Sequence, residues 1–396
     1  MIIIGASARA AAQSALRAGY TPWCIDLFAD RDLRAVAEVR RCPRETWPHG
    51  VLELMKDAPD GPVLLTGAME NHIEVVRRIE AHRPLLGASA SAIERIRQPL
   101  QLVAIIEPVR QRVRSDMAIA GRSAPGAGPG VCEMRLRPPW HARFTWSLPW
   151  NGNRRRYLIK PIHGAGGRGI RFWSPRQRVG RDEYLQQFIE GTPISAVYSD
   201  GALLSVTEQI IGAAEFGAAQ FQFVGNIAPF DAHPAVIRQL VALGRELARW
   251  HELKGLFGVD AVMTARPMRR HDWYPKVFPV EVNPRYPASV EVVERLLDAP
   301  AFCATALRRW PDDLRQLHPA NRVCGKAVVC AKAPCRAGDL YAIFSPDDVH
   351  DVPDAGALIR AGDPICTVTA MRSRRDDVLA RLREMAALVY TRVEPI

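Results

Sequence analysis

The chain has 396 residues, enough for two to three domains of about 150 residues and for a hydrophobic core that needs no disulfides. A hydrophobic fraction of 48% and a charged fraction of 24% exclude a disordered, collagen-like or coiled-coil protein. The net charge is +11, carried by 47 arginines and only six lysines. This excess of arginine is background composition, so we expect no nucleic-acid partner.

The spacing of the cysteines and the length of the apolar runs indicate the cellular compartment. None of the eight cysteines has the C-x-x-C spacing of a zinc or redox site, which favours reduced, buried thiols. No run of about 18 apolar residues occurs, so no membrane span is expected. The sequence therefore predicts a cytoplasmic protein.

The N-terminal segment alternates strands with helices. Buried strands are predicted at Met1–Ile4, Thr21–Asp26 and Val63–Thr66, with helices at Ala8–Ala18 and from Gly67 to Glu80. Strands that alternate with helices predict a parallel, doubly wound sheet. We place this domain at residues 1–96.

The middle and the end of the chain contain further elements. A basic helix is predicted at Ser91–Arg112, followed by a Gly/Pro/Ala-rich loop at residues 121–130. Further predictions are strands at 157–160, 170–173, 184–189, 206–210, 258–263 and 277–282, helices at 234–253 and 376–388, and short strands from residue 325 onward.

Two glycine-rich turns could bind a phosphate. The first, Gly5–Arg9, joins a strand to a helix N-terminus, where anions are favoured. It lacks the G-x-G-x-x-G pattern, so a tight turn without a ligand is about as good an interpretation.

The second turn, Gly164–Gly169, joins two strands and is a stronger candidate. Its glycines allow the backbone to approach phosphate oxygens closely, and Lys160 lies four residues upstream. Such loops are also often plain hairpins, but the scarcity of lysine in this chain favours a function.

A third feature is the pair of strands that contain Asp260 and Glu281–Arg285. Residues two apart on a strand face the same side, so Glu281 and Asn283 project together and Asp260 can join them. Two carboxylates and an amide oxygen suit a Mg²⁺ ion that also contacts phosphates. Charged residues at a strand end with no metal are the alternative.

These motifs resemble a known family. Lys160, the Gly164–Gly169 loop, Gln186–Gly191, Asp260 and Glu281–Arg285 occur in the order typical of an ATP-grasp enzyme. The resemblance implies an α/β ATP-grasp fold, with an N-terminal Rossmann-like domain at 1–96 and an ATP-grasp domain at 97–300 whose two subdomains enclose ATP. A small β-rich C-terminal domain at 301–396 resembles that of biotin carboxylase relatives.

The resemblance implies ATP and Mg²⁺ as cofactors and assigns roles to matching positions. Lys160 would contact the ATP phosphates, and Arg285 would face the transferred phosphoryl group as the second catalytic residue. The remaining nucleotide contacts would be Gly164, Gly166, Gly167, Gly169, Gln187, Phe188, Ile189 and Glu190. The metal ligands would be Asp260, Glu281 and Asn283. The chain departs from the family at Arg97-Gln98-Pro99, where many members have a lysine, so Arg97 either replaces that lysine or the phosphate contact is lost.

The expected reaction is ATP-dependent ligation of a carboxylate to an amine through an acyl-phosphate. Phrases such as Asn283–Ser289 resemble predicted carboligases of methanopterin-linked one-carbon metabolism, which are related to tyramine–glutamate ligase of methanofuran synthesis. The expected partners are small carboxylate and amine substrates of acidic character, suited to Arg9, Arg168 and Arg285, with a homodimer as the candidate assembly. The alternatives are a carboxylase that acts through carboxyphosphate and a non-catalytic ATP-binding protein.

Overall fold

The structure is a computed structural model, and it describes residues 1–119, 134–136, 156–264, 275–298 and 321–396. The predicted loop at 121–130 lies outside these residues. The α-helices are α1 (Arg9–Arg17), α2 (Arg31–Arg34), α3 (Gly50–Leu54), α4 (Ile73–Glu80), α5 (Ala90–Ile96), α6 (Pro99–Ile119), α7 (Pro234–His251), α8 (Val290–Leu297) and α9 (Arg375–Tyr390). Short 3₁₀ turns lie at 55–57, 69–71, 214–216 and 340–342.

The N-terminal segment forms the predicted parallel sheet. Its four strands run in the order β3-β2-β1-β4 and all pair in parallel. These strands are β1 (Ile2–Gly5), β2 (Trp23–Asp26), β3 (Glu38–Arg41) and β4 (Val63–Leu65). The predictions of β1, β2, β4, α1 and α4 are confirmed. β3 was not predicted, because its polar sequence lacks an apolar run.

A small antiparallel sheet carries the glycine loop. Its strand order is β5-β8-β6-β7. The strands are β5 (Met134–Leu136), β6 (Tyr157–Pro161), β7 (Arg171–Phe172) and β8 (Glu183–Gln187). The predicted strand–loop–strand arrangement around Gly164–Gly169 is therefore confirmed.

The largest sheet has eight antiparallel strands in the order β13-β12-β9-β10-β11-β14-β18-β16. The strands of its first part are β9 (Thr192–Ser199), β10 (Ala202–Ile211), β11 (Phe223–Ala228), β12 (Leu256–Thr264) and β13 (Lys276–Asn283). The C-terminal segment adds β14 (Val323–Cys330), β16 (Val349–His350) and β18 (Pro364–Arg372) to the same sheet, and forms a separate sheet from β15 (Cys335–Ala337), β17 (Leu358–Ile359) and β19 (Val393–Pro395). Since β14 pairs with β11, the C-terminal strands continue the central sheet. The three-part division at 96 and 300 stays a prediction.

The predicted single helix over Ser91–Arg112 is wrong, because two helices occupy this region. α5 ends at Ile96 and α6 begins at Pro99, so Arg97 and Gln98 lie between them. Proline has no N–H and disfavours helical backbone in the residue before it, so it suits the first position of a new helix. The break places Arg97 at the candidate site described below.

A buried guanidinium joins three segments of the chain. Arg9, at the start of α1, is 2% exposed and donates two hydrogen bonds to each of two carboxylates. The carboxylates are Glu291 of α8 and Asp351, which follows β16. Lys326 of β14 donates to Glu291 at 2.9 Å. Burial would raise the pKa of Glu291, but the Arg9 and Lys326 charges hold it well below its usual range.

Two absences follow from the described part of the chain. Within it no helix is long and apolar enough to cross a bilayer. Its six cysteines are all free and buried.

The contacts of Arg9 with Glu291 and Asp351 lead to a prediction about stability. We expect Arg9→Met to lower the free energy of unfolding by about 3–5 kcal/mol, because it leaves Asp351 without its cation and the buried Glu291 with Lys326 alone. Urea unfolding followed by circular dichroism measures the change. Lys56→Met, which removes the exposed ion pair with Glu53, is the control and should cost less than about 1 kcal/mol. Equal losses in the two variants would contradict this role for Arg9.

Candidate active site

The predicted metal ligands lie together where β12 and β13 pair. Asp260 is directly opposite Glu281, and the register shifts immediately after Asp260. Such an irregularity re-aims side chains and is frequent beside functional sites. Asn283 donates to one Asp260 oxygen at 3.0 Å, and Gln209 donates to the other at 2.9 Å. The four side chains therefore form one partly buried polar group at this end of the sheet.

The two carboxylates of this group differ in their electrostatics. Burial, together with the charge of Glu281, raises the pKa of Asp260 to about 6. Burial acts on Glu281 in the same direction, but the cations Arg97 and Lys160 hold its pKa below the ordinary value. The site therefore keeps Glu281 ionised, while Asp260 titrates close to neutral pH.

Lys160 lies on β6 with its ammonium inside the protein. The residue is 7% exposed, and its Nζ donates to Gln186 Oε1 at 3.1 Å. Gln186 in turn donates to the carbonyl of Val280 on β13 at 3.1 Å. This chain of contacts connects the small sheet with the strand that carries Glu281.

Arg97 occupies the site more centrally than the sequence indicated. Its guanidinium donates to Glu281 Oε1 at 2.7 Å, to Asn71 Oδ1 at 2.7 Å and to the Gly164 carbonyl at 3.3 Å. Burial disfavours its charge, yet Glu281 and Glu70 raise the pKa of Arg97 above its usual value. A fixed cation therefore stands where the family's usual lysine is absent. It lines a cavity together with Lys160, Gly164, Gly167 and Glu281.

The glycine loop lies against the chain near Phe221. Gly166, Gly167 and Gly169 have φ values of +60°, +75° and +78°. A Cβ at Gly167 would lie 1.9 Å from the Phe221 carbonyl oxygen, so packing alone requires glycine there. A Cβ at Gly166 would meet nothing within 4 Å, which leaves room for a ligand. The neighbouring Arg168 donates to the Gly362 carbonyl at 2.6 Å.

The predicted adenine segment, residues 187–190, begins at the last residue of β8 and does not line this cavity. The Phe188 N–H donates to the Arg156 carbonyl at 2.9 Å, so a base held here would use other backbone groups. The Phe188 ring packs against Phe172 and Phe221, and Ile189 is buried beside Phe278. Gln187 closes β8 opposite Tyr157 and Glu190 is exposed.

The first glycine turn already contains an anion from the chain itself. The Asp26 carboxylate accepts the N–H groups of Ala8 at 2.7 Å, Phe28 at 2.8 Å and Ala29 at 2.7 Å. A Cβ at Gly5 would lie 1.8 Å from Thr66 Oγ1, so this glycine lets β1 pack against the end of β4. The tight-turn interpretation of Gly5–Arg9 therefore accounts for these residues without a ligand.

Arg285 stands between the candidate metal ligands and a second, larger cavity. Its Nη2 donates to Asn283 Oδ1 at 3.2 Å and its Nε donates to Glu70 Oε1 at 2.9 Å. The second cavity has a volume of about 480 Å³ and lies at the carboxyl ends of the parallel strands. Its wall includes Arg285, Thr66 and Asp351.

Glu70 and Asn71 are site residues that the sequence analysis missed. They lie on the turn after β4, where Ala68 has a φ of +76°. Their position at the carboxyl end of a parallel strand was the one signal available, since ligands bind at this end of open α/β sheets.

The raised pKa of Asp260 leads to a prediction about metal binding. A metal requires the ionised carboxylate, so protonation competes with binding as the pH falls through 6. We expect the affinity for Mn²⁺, used as a probe of the Mg²⁺ site, to fall about tenfold between pH 7 and pH 5. Electron paramagnetic resonance of free Mn²⁺ measures it. Asp260→Asn should bind weakly at both pH values, and an unchanged wild-type affinity would contradict the prediction.

Comparison with known proteins agrees with this geometry. A family model for the ATP-grasp domain matches residues 141–289. An uncharacterized protein of Methanocaldococcus jannaschii is 24% identical over 238 residues, a match that covers 58% of this chain and 54% of that protein. The chain thus spans about half the length of that relative.

Solved structures share the fold at low sequence identity. The L-amino acid ligase of Bacillus licheniformis is 14% identical, with a TM-score of 0.64 over 100% of this chain and 98% of that chain. The biotin carboxylase domain of 2-oxoglutarate carboxylase from Hydrogenobacter thermophilus is also 14% identical, with a TM-score of 0.66 over 97% of this chain and 88% of that chain. Residues 141–289 therefore match an ATP-grasp domain, and the whole chain has the fold of these solved structures.

Proposed function

We propose that the chain is a carboxylate–amine ligase that forms an amide through an acyl-phosphate. Residues 141–289 match an ATP-grasp domain, and the structures that share the fold include an L-amino acid ligase and a biotin carboxylase domain in complex with MgADP. The observation that carries the proposal is the position of Arg285. One side of its guanidinium contacts the metal-ligand candidate Asn283, and the residue also lines the 480 Å³ cavity, where a second substrate can bind.

The residues around Asp260 fit Mg²⁺. Asp260, Glu281 and Asn283 offer hard oxygen ligands, and their small number suits an ion that completes its shell with phosphates and water. In the described part of the chain no three His, Cys, Asp or Glu side chains gather into a metal site, so the amide of Asn283 is a necessary member of this set. When bound, Mg²⁺ would neutralise phosphate charge during transfer.

We assign the nucleotide to the space between the two antiparallel sheets. Lys160 and Arg97 would hold the phosphates, with Gly164, Gly166, Gly167 and Gly169 over them. Adenine would lie against the backbone of residues 187–189, with Glu190 toward the ribose. Lys160 is buried and Arg97 is largely buried beside Glu281, so their charges act in a weakly screened environment and favour a polyanion.

The proposed reaction has two steps. A substrate carboxylate in the larger cavity attacks the terminal phosphorus, the bond to ADP breaks, and Arg285 stabilises the charge on the transferred group. An amine then attacks the acyl carbon and phosphate leaves. The glycine loop, held at Gly166 by the Phe223 N–H at 3.0 Å, would shield the acyl-phosphate from water.

Fewer arginines support the prediction of an acidic substrate than the sequence analysis named. Arg9 is fully engaged by Glu291 and Asp351, so it cannot recognise a substrate. The other arginines that line the cavity are candidates in addition to Arg285: Arg34, Arg41, Arg44 and Arg360. A role in tetrahydromethanopterin or methanofuran biosynthesis, a cytoplasmic location and a homodimer remain predictions of the sequence.

A carboxylase that acts through carboxyphosphate is the second candidate, favoured by the likeness to a biotin carboxylase domain. The chain has no biotin-carrier lysine, since Arg372 follows Ala370-Met371 at the end of β18. Carboxylation would therefore need a carrier on another protein. A non-catalytic ATP-binding role, motivated by the missing lysine, is less well supported because Arg97 supplies a cation at the site.

Lys160 gives the first test. We expect Lys160→Met to weaken binding of Mg·ADP at least tenfold, which is about 1.4 kcal/mol, because a buried phosphate contact is lost. Isothermal titration calorimetry measures the affinity. Lys254→Met removes an exposed lysine and should bind as the wild type does. Equal affinities in all three proteins would show that Lys160 lies outside the nucleotide site.

The bond formed gives the second test. With Mg·ATP and a panel of acid–amine pairs, we expect phosphate release that requires both an acid and an amine, with amide detected by mass spectrometry. Glu281→Ala should reduce this turnover at least 100-fold. Release that depends on bicarbonate and proceeds without an amine would favour the carboxylase and overturn the ligase assignment.

A further inference from the structure

Glu70 has an unusual position for a carboxylate. Its side chain is charged and lies in a short turn after β4 of the N-terminal segment, yet the residue is only 5% exposed. This turn reaches the site through Ala68, a non-glycine residue in the left-handed region with φ +76°. Such backbone conformations cost about 1–3 kcal/mol and persist where the surroundings enforce them. Two contacts of the strand end do so, since Tyr286 N–H donates to Leu65 and Ala6 N–H donates to Gly67.

One oxygen of Glu70 fixes Arg285. Glu70 Oε1 accepts from Arg285 Nε at 2.9 Å, while Arg285 Nη2 donates to Asn283 and Nη1 donates to the Tyr286 carbonyl at 3.2 Å. A charge-assisted bond at Nε sets the plane of the guanidinium. The direction in which Arg285 presents its charge therefore depends on Glu70.

The other oxygen of Glu70 is buried and has no hydrogen-bond partner. A buried carboxylate oxygen without a donor is unfavourable by about 1–3 kcal/mol, so its retention points to a donor supplied by a ligand. Arg285, which contacts Glu70, lines the larger cavity, and Arg97, whose pKa is raised by the charge of Glu70, lines the smaller one. Through its contact with Arg285, Glu70 lies directly behind the wall of the larger cavity, and it lines neither cavity itself.

The proposed ligation requires a proton acceptor at this place. An amine enters as an ammonium ion, and nitrogen can attack only after a proton has left. Attack forms the N–C bond and breaks the bond between the acyl carbon and the phosphate oxygen, whose electron pair stays with phosphate. Of the two protons released by the ammonium nitrogen, one is carried off by phosphate and one needs a base.

We propose that Glu70 is a catalytic residue that acts with both oxygens: Oε1 positions Arg285 toward the phosphoryl group, and Oε2 binds the ammonium of the acceptor and takes its proton before attack. This assignment rests on the proposed ligase function. The same oxygen would also select for an acceptor that carries a primary amine.

Two substitutions separate the two oxygens. Gln at position 70 can still accept from Arg285 through its carbonyl but cannot take a proton, whereas Ala loses both functions. Glu74→Gln is the matched control, because Glu74 is an exposed acid four residues further on in the same segment.

The first measurement needs no acid or amine. Binding of Mg·ADP with beryllium fluoride, a mimic of the transferring phosphoryl group, is compared by calorimetry. We expect Glu70→Ala to weaken binding of this complex at least tenfold while binding of Mg·ADP alone changes less than threefold, and Glu70→Gln to bind both as the wild type does. A Glu70→Ala protein that binds both like Glu74→Gln would overturn the positioning role. A wild type that binds no Mg·ADP would overturn the proposed function and this role with it.

The second measurement uses the acid–amine pair on which the wild type is most active. At pH 7 we expect Glu70→Gln to lose about 100-fold in amide formation, and to retain near wild-type hydroxamate formation when hydroxylamine, which is uncharged at this pH, replaces the amine. Glu70→Gln with full amine-dependent turnover would overturn the role of Oε2, as would an equal loss with hydroxylamine. If wild-type turnover requires bicarbonate and no amine, the ligase proposal is wrong, and the role of Glu70 as a base is then wrong as well.

Discussion

The buried guanidinium of Arg9 is the contact on which the arrangement of the site depends. A cation at the N-terminus of a helix is disfavoured by the helix dipole, and burial disfavours it further. Two carboxylates from distant parts of the chain, Glu291 and Asp351, compensate both effects. The N-terminal sheet, the helix that follows Arg285 and the C-terminal strands are therefore held in one geometry, with the larger cavity between them.

In this arrangement, the carboxylates of Asp260 and Glu281 lie close to the cations Arg97 and Lys160. Glu281 stays ionised because Arg97 and Lys160 are close, while Asp260 is held by amide donors and keeps a raised pKa. Two adjacent carboxylates, one kept ionised by cations and one with a raised pKa, would provide oxygen ligands for a divalent ion. Arg97 donates to a candidate metal ligand and to the carbonyl at the start of the glycine loop, so one side chain would connect a bound metal, the loop and the nucleotide phosphates.

Local patterns in the sequence predicted several of the residues that the structure brings together at the candidate site. Lys160 and the glycine loop lie on a predicted strand–loop–strand unit, and the alternation of side chains along β13 placed Glu281 and Asn283 together. These inferences need only the period of a strand and the chemistry of the residues. The apolar runs of β1, β2 and β4 predicted the parallel sheet in the same way.

Long-range contacts account for what the sequence did not reveal. Glu70 is 215 residues from Arg285, and Arg97 is 184 residues from Glu281, so no local pattern connects them. Arg9 was expected to recognise substrate, but its partners lie 282 and 342 residues away and neutralise it. Pro99 is a local signal for the break between α5 and α6. The basic, amphipathic pattern of residues 91–112 nevertheless led to the prediction of a single helix.

The most direct test of the central claim is a crystal structure of the chain with Mg·ADP and beryllium fluoride. The metal should be bound by Asp260, Glu281 and Asn283, the fluoride should face Arg285, and Lys160 should contact the phosphates beneath the glycine loop. A nucleotide bound instead at the Gly5–Arg9 turn, or a metal bound away from β12 and β13, would contradict the assignment of the site.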